Sequence, residues 1–228
     1  MTAKIRSPIK LENKKLSGAE IIYRCLELEG VEYIFGHPGA ILLTLLDLFL
    51  KRSNIKHILT RHEQCAAHMA EGYARASGEV GVCLVTSGPG ATNLITGITD
   101  AYMDSIPIVC LTGQVATFMV GNDAFQEADI VGMTRTVTKQ NYLIKEMKDL
   151  APTLKEAFHI ARTGRPGPVL IDMPKDIILG EAFFQVPEEV NIRGYKPRTK
   201  GHPRQIKRVA ETIKEAKKPI LYVGGGAI

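Results

Sequence analysis

Glu63 stands in Thr60-Arg61-His62-Glu63-Gln64, between an apolar run (Ile55 to Leu59) and a small-residue helical stretch (Ala66 to Ala76). A carboxylate at a strand-to-helix junction sits at the carboxyl edge of a parallel sheet, where open α/β folds build their ligand sites. The adjoining helix amino end favours its ionised form, so it could polarise a ligand nitrogen. Glutamates that only complement the helix macrodipole occupy the same kind of position, and this residue alone does not separate the two roles. His62, Glu63 and His68 also raise the question of a metal. A zincin helix needs HExxH, but Ala66 occupies the place of the second histidine. His62 and His68, six residues apart, do not share a helix face, so no metal site is expected from them.

Three further constellations could carry chemistry. Ser87-Gly88-Pro89-Gly90-Ala91-Thr92-Asn93 is a glycine-rich loop between a strand and a helix. Helix amino ends bind anions, yet the loop has neither the Walker lysine nor the GxGxxG spacing. Its glycines and proline could equally press flat backbone against an aromatic ring. Asp123-Ala124-Phe125-Gln126-Glu127 lies in a polar loop, where Phe125 is either a packing residue or a pocket wall. Arg165, between Gly164 and Pro166, reads as turn chemistry or as a guanidinium held ready for a planar or anionic group.

Alternating helix and strand signals position these residues. Ser17-Gly18-Ala19-Glu20 is a capping-box pattern that predicts a helix to about Glu29, with Gly30 as its stop. Strands are predicted at Val31–Phe35, Ile55–Leu59, Val80–Val85, Ile106–Leu111 and Val169–Met173. Helices are predicted at Ile41–Lys51, Gln64–Ser77, from the glycine-rich loop to about Met103, and at Leu150–Thr163. Near-continuous apolar strands between helices predict a parallel sheet covered on both faces. Right-handed crossovers would put the turns Gly36–Gly39, Thr60–Glu63, Thr86–Gly90 and Thr112–Gln114 on one edge.

The character changes after Gly180. Residues 186–204 read as a linker, Pro203–Lys217 as a helix and Pro219–Val223 as a strand leading into Gly224-Gly225-Gly226. The chain therefore reads as an N-terminal tail (1–15), an α/β domain (16–180), a linker (181–204) and the truncated start of a second α/β domain (205–228), a piece of a longer polypeptide. With 228 residues, 45% of them hydrophobic and 23% charged, the composition is that of a soluble globular protein. The net charge of +5 is concentrated at the start (Lys4, Arg6, Lys10, Lys14, Lys15) and in 193–208, which fits solvated ends rather than nucleic-acid binding. Four scattered cysteines without a CxxC pair fit buried thiols in a reducing compartment. No stretch reaches transmembrane length and no secretory signal opens the chain, so a cytoplasmic location is expected.

Arg61-His62-Glu63-Gln64, Ala70-Glu71-Gly72-Tyr73-Ala74-Arg75, Thr86 to Asn93, Thr112-Gly113-Gln114-Val115, Asp123 to Glu127, Thr138-Lys139 and Gly164-Arg165-Pro166-Gly167-Pro168-Val169 with Asp172 to Asp176 occur in a fixed order over residues 16–180. In that combination the chain resembles the thiamine-diphosphate-dependent enzymes, specifically the acetolactate synthase large-subunit family. The resemblance implies that 16–180 is the domain that binds the cofactor's pyrimidine. It implies that Glu63 hydrogen-bonds the aminopyrimidine N1′ and serves as the catalytic proton relay. Pro38, Gly39, Pro89, Asn93 and Gln126 would lie along thiamine diphosphate. Phe125, Gln126 and Lys175 would sit near the substrate entrance and Ala116 at the rim of that channel, while Arg165 would contact FAD, a structural cofactor in the biosynthetic branch.

The reaction implied is condensation of two pyruvates, or of pyruvate with 2-ketobutyrate, with loss of CO2 in branched-chain amino acid synthesis. Mg²⁺ would be held by ligands outside this chain. A homodimer or tetramer would place the site between subunits, a small regulatory subunit would be a further partner, and the piece alone would be inactive. Other readings are glyoxylate carboligase, pyruvate oxidase or a non-catalytic truncated module. The sequence departs from the family pattern at His37-Pro38-Gly39-Ala40, where Tyr-Pro-Gly-Gly is usual, and at Ala116, where proline is usual.

Overall fold

The structure, a computed structural model, describes residues 15–227. The expected tail, with Lys4, Arg6, Lys10 and Lys14, lies outside that range except for Lys15. That residue begins β1 (Lys15–Ser17), which pairs antiparallel with β8 (Glu181–Phe183). Ser17 closes the capping box expected of it. Its hydroxyl accepts from Glu20 N at 3.2 Å and the Glu20 carboxylate accepts from Ser17 N at 3.2 Å, satisfying two helix-end donors at once. Helix α1 (Gly18–Leu28) follows, and Gly30 stops it at φ +77°, a conformation costly for a residue with a Cβ.

Six parallel strands form the main sheet in the order β3 (Lys56–Leu59), β2 (Tyr33–Gly36), β4 (Gly81–Val85), β5 (Ile108–Gln114), β7 (Val169–Pro174) and β6 (Gln140–Leu143). The central strands β4, β5 and β7 are buried along their whole length, which is why they read as unbroken apolar runs. Side chains alternate between two cores, as period-two strands require. Val82, Leu84, Val109 and Leu111 face α1, α2 (Leu43–Lys51) and α7 (Met147–Arg162). Cys83, Val85 and Cys110 face α3 (Glu63–Ser77) and α5 (Ile95–Asp104). The expected parallel sheet with helices on both faces is what the chain forms.

Several expectations require correction. Thr112-Gly113-Gln114 is not a turn but the end of β5, because β7 offers pairing partners as far as Gln114↔Pro174. The helix after the glycine-rich loop is two pieces, α4 (Pro89–Thr92) and α5, separated at Asn93-Leu94. Strand β6 and helix α6 (Ile130–Thr134) were not expected; β6 is a polar edge strand whose one sheet neighbour is β7. Pro219–Val223 is not a strand, since among the described residues no neighbour offers its backbone a ladder. Cys25, Cys83 and Cys110 are buried thiols, but Cys65 is exposed because α3 buries positions 66, 67, 70, 71 and 74.

The expected linker has few regular elements yet lies against the body. Tyr195 donates to Thr163 O at 2.9 Å, and Lys155 donates to the carbonyls of Pro187 and Glu188, the latter at 2.7 Å. Helix α9 (Pro203–Glu215) follows and is exposed throughout. No helix among the described residues is long and apolar enough to cross a membrane.

What sets α3 and α5 at their working distance is the absence of side chains. A Cβ added to Gly97 would stand 2.5 Å from the Ala67 Cβ, and one added to Gly81 would strike the Ala70 carbonyl group. Alanine in place of a helical glycine normally stabilises by about 1 kcal/mol. Here Gly97→Ala is expected to destabilise by about 1–2 kcal/mol, because overpacking α3 against α5 exceeds that gain. Urea unfolding checks this, and a variant as stable as the parent contradicts it.

Candidate active site

The carboxyl ends of β2, β3 and β4 feed turns that lock to one another. His37 Nδ1 lies 2.8 Å from Thr60 O, so that nitrogen carries the hydrogen and the turn after β2 is tied to the turn before α3. His62 is the extended N-cap of α3, and its Nδ1 accepts from Gln64 N at 3.2 Å. Glu63 is the first helical residue and is half-buried. Asn93, at the break between α4 and α5, donates Nδ2 to Glu63 Oε2 at 2.9 Å. Glu63 Oε1 lies against Gly90, 3.4 Å from where a Cβ would stand. Among the described residues that oxygen accepts no hydrogen bond, so one carboxylate oxygen is fixed and the other remains open as an acceptor.

Gly39 and Gly90 both abut Thr86, and a Cβ on either would collide with its side chain. Pro89 is exposed at the first position of α4, with Gly88 before it at φ +55°. The wall so formed is bare backbone with a proline on it. The structure therefore brings Gly39, Glu63, Pro89 and Asn93 together through Thr86 and Gly90, with exposed Pro38 beside them. Gln126 reaches the same loop, because a Cβ on Gly88 would stand 2.7 Å from the Gln126 carbonyl carbon. Its neighbour Phe125 is 86% exposed. It is not a packing residue here.

Ala116, half-buried, precedes the short 3-10 turn Thr117–Met119. Thr117 N donates to Asp176 Oδ1 at 3.0 Å, one residue past exposed Lys175 at the start of α8 (Lys175–Leu179). Arg165 is remote from Glu63: it donates Nε to Ser105 Oγ at 2.7 Å and Nη2 to Met103 O at 3.2 Å, completing the end of α5. His68 lies not with His62 but 3.5 Å from both Glu71 Oε2 and Asp100 Oδ2. Arg75 donates to Glu71 at 2.5 Å and to Asp104 at 2.5 Å, so a guanidinium balances the buried carboxylate of that cluster.

Sequence reasoning missed the buried partners behind this edge. Asp172 on β7 is 1% exposed and accepts from Thr112 Oγ1 at 2.7 Å and Gln114 Nε2 at 2.9 Å. An aspartate inside the apolar run Val169-Leu170-Ile171-Asp172-Met173 is the signal that could have found them, because a buried carboxylate needs donors. Burial pushes its pKa up to about 7 although Thr112 and Gln114 oppose the rise, and the Asp129 charge adds to it. The folded chain thus holds a proton that the unfolded chain releases above the ordinary value of 3.8. Stability from this group is lost as pH rises from about 4 to about 7, by order 4 kcal/mol in all. Asp172→Asn is expected to unfold less readily than the parent by a margin that grows by about 2–4 kcal/mol from about pH 5 to about pH 8. Urea midpoints at several pH values check this, and a flat margin contradicts it.

Residues 16–133 match the family described as thiamine pyrophosphate enzyme, N-terminal TPP binding domain. The chain is 55% identical over 215 residues to the acetolactate synthase isozyme 3 large subunit of Escherichia coli, covering 93% of this chain and 38% of that protein. It is 53% identical over 217 residues to the acetolactate synthase large subunit of Haemophilus influenzae, covering 94% and 38%. Against the probable acetolactate synthase large subunit of Methanocaldococcus jannaschii it is 54% identical over 216 residues, covering 93% and 36%. The chain thus spans well under half the length of these relatives. With a family match that runs from Leu16 across the glycine-rich loop and the Glu63 turn, the chain belongs to the thiamine pyrophosphate enzymes and carries their N-terminal TPP binding domain.

Proposed function

We propose that this chain is the part of an acetolactate synthase large subunit that receives the pyrimidine end of thiamine diphosphate. The observation that carries this reading is the Glu63 carboxylate, fixed through Oε2 by Asn93 and open at Oε1 beside Gly90. Such an oxygen suits a ring nitrogen that must gain and lose a proton. The bare backbone at Gly88 and Gly90, with Pro89 exposed on it, suits the flat face of an aminopyrimidine. The residues present therefore fit the cofactor's pyrimidine. Bound thiamine diphosphate would supply the electron sink for decarboxylating a 2-keto acid.

The chain's own residues then have separate tasks. Glu63 Oε1 holds and returns the proton, and Asn93 keeps the carboxylate from rotating away. Pro38, Gly39 and Pro89 bound the ring. Gln126, Phe125, Lys175 and Ala116 border the path of the 2-keto acid. In this reading Lys175 supplies positive charge toward the substrate carboxylate. Arg165 would meet FAD with the outer face of a guanidinium whose inner face completes α5. The substrates are pyruvate and 2-ketobutyrate, and the compartment is the cytoplasm.

Residues 16–180 form the pyrimidine-binding domain, 181–204 the connection and 205–228 the start of an FAD-associated domain. The remaining length seen in the relatives would supply the Mg²⁺ ligands that hold the diphosphate. A homodimer or tetramer would complete the site from a second copy, and a small regulatory subunit would bind the assembly.

In the full-length protein, Glu63→Gln keeps the shape and the Asn93 contact but loses the titrating oxygen. Turnover is expected to fall by about two to four powers of ten with FAD content unchanged. A rate near the parent's would remove Glu63 from this role. Product analysis separates the alternatives: acetolactate from pyruvate supports the proposal, whereas acetyl phosphate or tartronate semialdehyde replaces it. The 228-residue chain alone, given thiamine diphosphate and Mg²⁺, is expected to consume no pyruvate, and measurable consumption contradicts the shared site.

A further inference from the structure

Gln114, the last residue of β5, is buried and each polar atom of its side chain is engaged. Nε2 donates to Asp172 Oδ2 at 2.9 Å and to Ala128 O at 3.0 Å, and Oε1 accepts from Val115 N at 2.8 Å. Asp172 is itself fixed by Thr112 Oγ1 at 2.7 Å. Ala128 closes the loop that carries Phe125 and Gln126. Inside that loop the Glu127 carboxylate accepts from Gly121 N and, at 2.9 Å, from Ala124 N, and these backbone donors hold its pKa below the ordinary value.

The loop is strained as well as anchored. Asp123 and Gln126 sit at φ +52° and +58°, in the left-handed region. For residues with a Cβ this conformation is unfavourable and persists only where the surroundings over-determine the backbone. The surroundings here are the Gln114–Ala128 bond behind the loop, Glu127 within it, Thr117–Asp176 at its entry, and Gly88, against which the Gln126 carbonyl rests. Of these, Gln114 alone links the loop to the buried sheet.

We propose that Gln114, oriented by Asp172, is a positioning residue for the reaction: it seats the Gln126 segment on Gly88 and so fixes one border of the path by which the 2-keto acid approaches a cofactor lying on the wall formed by Ser87–Gly90. This rests on the function proposed above. The geometry also says which substitutions preserve the device. Asp172→Asn keeps an acceptor for Gln114 Nε2 if its amide donates to Thr112 Oγ1, and that hydroxyl can turn to Ile171 O, 3.4 Å away. Gln114→Ala removes the link, and Gln114→Glu replaces a donor by an acceptor facing Asp172 and the Ala128 carbonyl.

In the full-length protein, Gln114→Ala and Gln114→Glu are expected to raise the KM for pyruvate about tenfold, since misplacement by a fraction of an ångström has costs on that scale. Half-saturation by thiamine diphosphate should stay within about twofold, because Gln126 alone of the residues assigned to the cofactor shifts while Pro38, Gly39, Glu63, Pro89 and Asn93 keep their places, and hydrogen exchange over 117–129 should quicken. Asp172→Asn should keep both the KM and the exchange near the parent's. An unchanged KM, or a KM and cofactor half-saturation that rise together, overturns the assignment; so does loss of the seat in Asp172→Asn. Gln114→Asn, which keeps an amide one methylene short, gives the same readouts if the alanine variant does not fold. Should the parent turn over no pyruvate, the functional reading fails separately, and exchange over 117–129 in the same variants still decides whether Gln114 holds the loop.

Discussion

The close approach of α3 to the sheet and to α5 is the constraint on which the rest of the molecule depends. Dispersion attraction decays within a fraction of an ångström, and a helix held off by one methyl layer would carry its first residue out of reach of its partner. Ala66, Ala67, Ala70 and Ala74 give α3 a nearly smooth inner face, and Gly81 and Gly97 meet it without side chains. The small residues cost little conformational entropy when ordered. They bury little apolar area each, so the larger share of hydrophobic stabilisation falls to the opposite core. There Tyr23, Leu26, Leu45 and Phe158 are almost wholly buried. One face of the sheet holds the chain together, and the other sets the position of Glu63.

Carboxylates do four different things within this architecture, distinguished by what donates to them. Glu20 and Glu127 accept from backbone amides and shape a helix start and a loop. Glu71, buried on α3, is paired with the Arg75 guanidinium, and through it α3 is tied to Asp104 at the end of α5. Asp172 has only a hydroxyl and an amide for partners, which cannot offset desolvation, so burial dominates its titration. Glu63 shares one oxygen with an uncharged amide and is half-open to solvent. The role proposed for Glu63 needs that intermediate condition. A guanidinium would pin its charge, and full burial would keep it neutral.

Legibility in the sequence follows the range of the interactions involved. Ser17, Glu20 and Gly30 were readable because caps and stops are local, and β4 because a strand buried on both faces must be apolar along its length. The Glu63 turn was readable as a junction, and the linear motifs around it carried the family resemblance. The end of β5 was not readable. Thr112-Gly113-Gln114 has the composition of a turn, and only pairing with β7, some sixty residues later, makes it strand. Asn93 was visible as a residue but not as the break that points it at Glu63, since that depends on α4 stopping after one turn. Pro219–Val223 shows the converse: local propensity predicted a strand, and with no neighbour among the described residues to complete its ladder none forms.

The departures from the family pattern can be weighed in the same physical terms. Gly39 has extended backbone at φ −157°, so it is glycine for space and not for dihedral: a side chain there would strike Thr86. Ala40 begins a 3-10 turn and is exposed, so the second glycine of the usual pattern is not needed to build this backbone. Ala116 sits at φ −57° and ψ 148°, which is where a proline ring would hold it, so the loop keeps its course without the ring. His37 is the change with chemical content. Its imidazole spends one nitrogen on the Thr60 carbonyl and leaves the other as an acceptor, in a turn that leads through Gly39 to Thr86. A phenol has one polar atom and could not do both. The first turn thus carries an imidazole bonded to Thr60 where the pattern expected from the resemblance has a phenol, and differences in behaviour from relatives more than half identical should be sought at His37 before Ala40 or Ala116.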